Sequence, residues 1–200
     1  MRYTKLCVLC LSALSAVTAC KVDSRTDYLG DKNPRHFGLG RTPTAAEIAA
    51  VDIDVSPNGA GLPAGSGTPE AGATIFAGAC ASCHGANGEG KPPQYPQLIG
   101  GPRGVFNFAS DPKIPRTIGN YWPYATTLYD YIRRAMPLTA PGTLSPDQTY
   151  AVTAFLLNKE GIVPDGTVLD AKSLAAIKMP ARDHFVEDDR RGSTGGKNVR

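Results

Sequence analysis

An all-α domain of three to four helices, bracketed by long irregular arms, is the fold this sequence predicts. Three observations carry it. Apolar residues at helical spacing follow cap-forming residues at Thr68-Pro69-Glu70, Thr127-x-x-Asp130 and Ser145-Pro146-Asp147-Gln148. The 22 glycines and 17 prolines crowd the stretches between and beyond these segments, where they punctuate loops. A single Cys-x-x-Cys-His, Cys80-Ala81-Ser82-Cys83-His84, follows the first of the three helices.

That motif supplies what the loops pack around. The spacing reads as a site of covalent haem attachment. Two thiols on one helical turn can each add to a vinyl group of the porphyrin, and the histidine that follows is placed to ligate the iron through a neutral imidazole nitrogen. The alternative is a redox dithiol or half of a zinc site. Zinc would need further Cys or His ligands at suitable spacing, and the other histidines, His36 and His184, lie far away in polar segments. With one such motif and no internal repeat, one covalent haem c per chain is expected.

Residues 1–19 read as an export signal. Arg2 and Lys5 form a charged start, Leu6 to Val17 is apolar, and Val17-Thr18-Ala19 offers small residues before a cut. The apolar run is short for a bilayer span. Val17-Thr18-Ala19-Cys20 resembles a bacterial lipoprotein box, which makes Cys20 a lipidation site; the alternative is simple cleavage with Cys20 left as a free thiol. Of the five cysteines, Cys7 and Cys10 leave with the signal, Cys20 carries lipid, and Cys80 and Cys83 carry haem. Signal and haem together predict a periplasmic chain, anchored to a membrane through its lipid alone. Loss of Arg2 and Lys5 takes two from a formal charge of +3, which argues for no nucleic-acid partner.

Residues 20–67 are read as a lipidated tether and N-terminal arm. Within it Thr44-Ala45-Ala46-Glu47 opens a short helix to about Val51, and the Gly/Pro-bearing stretch from Asp52 to Gly67 is looped. The haem domain is predicted over 68–161. Thr68 caps, Pro69 takes the first helical position, and Ala71, Ile75 and Phe76 form the apolar face of a helix running into Cys80. Gly85 to Gly90 is a turn, and 92–124 is irregular. A helix over Thr127–Arg134 turns Leu128, Tyr131 and Ile132 inward. Another starts at Ser145, buries Val152, Phe155 and Leu156, and ends by Gly161. Residues 162–200 form the C-terminal arm, whose charged, Gly-rich end is expected to be disordered.

This pattern resembles the small c-type cytochromes, and the resemblance implies a single class I-like cytochrome c domain. It also implies a methionine between the middle and final helices as the iron's sixth ligand, which is where Met136 stands, braced by Pro137. The alternative for Met136 is a core gap-filler, with Met179 in reserve. A ligating imidazole usually donates its other N–H to a carbonyl. In c-type cytochromes a Pro-x-Leu about a dozen residues after the histidine supplies it, and Pro96-Gln97-Leu98 resembles that element. Trp122, in Tyr121-Trp122-Pro123-Tyr124, is a candidate to cover the haem edge and donate its indole proton to a propionate, with a plain core aromatic as the alternative. Arg103 and Arg133-Arg134 are candidates for propionate pairing or docking.

Three further stretches carry a narrower likeness. They are Phe37-Gly38-Leu39-Gly40-Arg41 with Glu47-Ile48-Ala49-Ala50; Asp52-Ile53-Asp54-Val55 running on to Gly61-Leu62-Pro63-Ala64-Gly65-Ser66-Gly67; and Gly119-Asn120-Tyr121-Trp122-Pro123-Tyr124-Ala125-Thr126-Thr127 continued by Tyr131-Ile132-Arg133-Arg134-Ala135-Met136-Pro137. Together they resemble the cytochrome subunit of bacterial sulfane and sulfite dehydrogenases. The resemblance implies an electron-transfer subunit that is not an enzyme by itself. Its partner would be a periplasmic molybdenum-cofactor dehydrogenase subunit oxidising a sulfur substrate, and its acceptor a soluble cytochrome c. The arms could wrap that partner. Two other functions fit the residues: a freestanding lipid-tethered electron shuttle, and a haem enzyme or sensor with an open sixth position.

Overall fold

Cap chemistry sets where the two helices of the core, opening at Pro69 and Pro146, begin. The computed structural model describes residues 39–106, 111 and 113–186, which fall into two units, 1–44 and 45–200. In the first, residues 39–44 are exposed and lack regular structure. The second begins with α1 (Ala45–Val51), which buries none of its residues. Thr68 then accepts the Ala71 N–H at 3.3 Å and Pro69 takes the first position of α2 (Pro69–Ala79). The attachment turn forms α3 (Ala81–His84). After a long loop come α4 (Ile118–Tyr121) and α5 (Ala125–Ala135). Ser145 and Gln148 cap each other reciprocally ahead of Pro146, opening α6 (Pro146–Lys159). The tail adds α7 (Ala171–Ala175) and a 3₁₀ turn at Arg182–His184.

The domain is therefore mostly helical, with one two-stranded antiparallel pairing. Strand β1 (Ser66–Gly67) meets β2 (Leu169–Asp170) in the register Ser66 to Asp170 and Gly67 to Leu169. The core is the crossing of α2 and α6. Gly72 lets the helices close together, since a Cβ there would meet the Ala151 carbonyl oxygen at 1.9 Å. Phe76 and Phe155 pack across the crossing with centroids 5.0 Å apart, and Tyr129 of α5 meets Tyr150 of α6 at 4.5 Å.

Helix α6 buries every residue from Thr149 to Leu157, more than the expected stripe of Val152, Phe155 and Leu156. Thr149 and Thr153 tolerate this because each hydroxyl donates to the carbonyl four residues back, at 2.9 and 2.7 Å. The covering comes from α2, α5 and both short strands, and the tail adds buried Val163, Leu169, Leu174, Met179 and Ala181 to the core. The segment after Gly161 is largely irregular, as expected, but its described part is packed against the domain. On α5 the inward residues are Leu128, Tyr129 and Ile132, whereas Tyr131, expected inward, is 46% exposed. The helix starts at Ala125 without a side-chain cap, so the expected Thr127-x-x-Asp130 cap is not formed; the Thr127 hydroxyl donates back to the Tyr124 carbonyl, and Tyr129 is the tyrosine that faces α6, against Tyr150.

The arm before β1 is held by the domain's own side chains. Asp130 accepts the Val55 N–H, Arg133 donates to the Ile53 carbonyl at 3.1 Å, Thr126 to that of Pro57 at 2.9 Å, and Tyr150 to that of Pro63 at 2.9 Å. Among the described residues no helix is long and apolar enough to cross a membrane. The export signal, Cys20 and His36 lie outside the described residues.

Candidate haem site

Cys80 ends α2, donating its N–H to Phe76 at 2.9 Å, and its carbonyl accepts the N–H groups of Cys83 at 3.1 Å and His84 at 3.0 Å. One turn of backbone thus gathers both thiols and the imidazole. Cys80 and Cys83 are free and half-buried. Burial, and then the neighbouring Cys83, push the Cys80 thiol above its ordinary pKa, so it stays protonated at neutral pH. A zinc or nucleophilic pair needs thiolates instead, and among the described residues no three His, Cys, Asp or Glu side chains gather as a metal cluster.

His84 is half-buried, and that burial holds its pKa below the ordinary value. The ring is therefore neutral, the form that ligates iron. Its Nδ1 is buried without a hydrogen bond of ordinary geometry, while the Pro96 carbonyl is close enough to raise the ring's proton affinity against the effect of burial. The donor set and the unpartnered buried nitrogen fit a covalently attached haem: two thiols on one turn, and a neutral imidazole next in the chain.

The strap that brings Pro96 to the histidine depends on Gly90. Its N–H donates to the His84 carbonyl at 2.8 Å, its φ is +76°, and a Cβ there would stand 2.7 to 2.8 Å from backbone atoms of Tyr95, Pro96 and Gln97. Beyond the strap, the Leu98 carbonyl accepts the Ile118 N–H at 2.9 Å, which ties it to α4.

Met136 closes α5, donating its N–H to Ile132 at 3.1 Å. It is half-buried against the same core that receives Cys80, Leu98 and Trp122. Met179, by contrast, is 1% exposed and lies with Leu174 beside a cavity also lined by Pro123 and Tyr124. The Trp122 indole N–H donates to the Thr127 hydroxyl at 3.0 Å and its ring packs near Tyr131 at 5.8 Å. His184 stacks on Phe106 at 3.9 Å. Arg134 forks onto Asp130, Arg133 reaches Ile53, and Arg103 lies against Gly161 beside Glu160. These arginines therefore have structural partners within the chain. Sequence reasoning placed Gly90 in a turn and gave Lys91 and Tyr95 no role at the histidine, because only the fold brings the strap onto the attachment turn.

Residues 69–160 match the cytochrome c family. The chain is 44% identical to one in the crystal structure of the sulfane dehydrogenase SoxCD from Paracoccus pantotrophus, with a TM-score of 0.66 over 78% of this chain and 74% of that one. A comparison with curated proteins finds no match.

Proposed function

We propose, since the chain belongs to the c-type cytochromes of the bacterial sulfur-oxidation type, that it accepts electrons from a molybdenum-cofactor sulfite or sulfane dehydrogenase subunit and passes them to a soluble cytochrome c. The observation that carries this reading is the 44% identity to a chain of a sulfane dehydrogenase, joined to a thiol–thiol–imidazole turn suited to haem. Haem c, when bound, supplies a one-electron iron couple. Cys80 and Cys83 would hold it covalently, and His84 would offer the iron a nitrogen while the Pro96 carbonyl orients the ring. Met136, at the end of α5, would offer the iron a sulfur. Trp122 would shield an edge of the site, its N–H kept on Thr127. A lipid on Cys20 would tether the chain at a periplasmic membrane face.

The test is purification from the native host. The reading expects a molybdenum protein to co-purify and the haem bands to reduce when sulfite, thiosulfate or a protein-bound sulfane is added. A monomer with no retained partner and no substrate-driven reduction would overturn it. One observation favours a second reading, the freestanding tethered shuttle: the segment from Ile53 to Pro63 is bonded to this chain's own α5 and α6, and β2 of the C-terminal arm pairs with β1. That reading expects reduction by several donors and no stable complex.

A further inference from the structure

The strap from Gly88 to Leu98 grips the attachment turn at more points than one axial ligand requires. Lys91 and Tyr95 form an isolated antiparallel bridge, exchanging backbone bonds of 2.9 and 3.0 Å. From one flank, Lys91 Nζ donates to the Ser82 carbonyl in the middle of the turn. From the other, the Tyr95 ring stands edge-on to the His84 imidazole, with centroids 6.4 Å apart and planes at 66°. That separation lies in the range where edge-to-face rings attract. The Tyr95 hydroxyl also lies against Cys83.

A histidine's ring torsion is broad, and the usual restraint is a hydrogen bond from the nitrogen that does not ligate. Here the Pro96 carbonyl lies by Nδ1 without a bond of ordinary geometry, and the Tyr95 ring is a second contact that bears on the imidazole plane. We propose that Tyr95 is a positioning residue for His84: its ring, packed edge to face with the imidazole, sets the imidazole plane, and Lys91 anchors the opposite flank of the same turn. This rests on His84 as the iron ligand.

The test uses the oxidised holo-protein. The spread of haem methyl NMR shifts reports the plane of an axial imidazole. Tyr95→Leu removes both ring and hydroxyl and is expected to change that spread. Tyr95→Phe keeps the ring edge and is expected to leave the spread as in the wild type. A wild-type spread in Tyr95→Leu, or an equal change in both variants, overturns the proposal. If Tyr95→Leu folds too poorly, Lys91→Met leaves the site's own side chains in place and frees the strap; a changed spread supports the proposal and a wild-type spread overturns it. Failure of the ligand reading has a different mark: a His84→Ala protein with the wild-type haem spectrum removes His84 from the iron and this proposal with it.

Discussion

Asp130 accepts the backbone N–H of Val55 at 2.8 Å, across 75 residues of chain. Both residues are buried, and Asp130 sits on the helix that ends at Met136. The Arg134 fork on the same carboxylate is half-exposed and adds little by itself. Asp130→Ala instead leaves the Val55 N–H buried without a partner, which costs about 1–3 kcal/mol. Urea unfolding of the holo-protein checks this; a change below about 0.5 kcal/mol would show that the bond does not hold the arm.

Two glycines of α2 should respond in opposite directions. At Gly72 a Cβ would run into Ala151 and Phe155 of α6, whereas at Gly78 nothing lies within 4 Å. Gly72→Ala should destabilise by about 1–3 kcal/mol through overpacking. Gly78→Ala should stabilise by up to about 1 kcal/mol, the helix-propensity difference. Thermal unfolding of both variants decides; equal shifts would refute the close α2–α6 crossing.

Met136 and Met179 should divide between ligand and core. Met136→Ala should abolish the methionine-to-iron charge-transfer band. Met179→Ala should keep the band and lose about 2–5 kcal/mol of stability, the usual range for emptying a buried site. A band that persists in Met136→Ala and vanishes in Met179→Ala reverses the assignment. Absence of the band from the wild type would favour an open sixth position.

Glu160 couples stability to pH. Burial raises its pKa above the ordinary 4.5, outweighing hydrogen bonds from Thr117, Gly119 and Gly100 and the charge of Arg103. The folded state therefore binds this proton more tightly than the unfolded state does. Glu160's contribution is favourable below 4.5 and is lost as pH rises through the raised value. Glu160→Gln removes the ionisation and keeps an acceptor. Its stability relative to the wild type should improve from acid to neutral pH. Denaturant midpoints on either side of the window test this, and a constant difference would count against it.

Local chemistry makes part of this molecule legible in the sequence. Thr68-Pro69 and Ser145-Pro146 with Gln148 announce helix starts because capping involves only neighbours in the chain. The attachment turn is equally plain, since its spacing is one turn of backbone. Long-range packing hides the rest. Tyr129 and Tyr131 are near-equivalent in sequence, and only the position of Tyr150 decides which turns inward. The tail's Leu169, Leu174, Met179 and Ala181 follow no helical or strand period, so their burial against the domain has no sequence signature. Tyr95 reaches His84 through a bridge to Lys91, which neither residue announces.

The pairing of β1 with β2 also orders assembly. Gly67 and Leu169 lie roughly a hundred residues apart, so their contact must wait for a large loop to close before it yields any reward. Helices α2, α5 and α6 need no such wait to begin forming. The attachment turn can therefore be framed early, with the tail settling over α6 afterwards. Hydrogen exchange should find the amides of the two short strands opening well before those of α6.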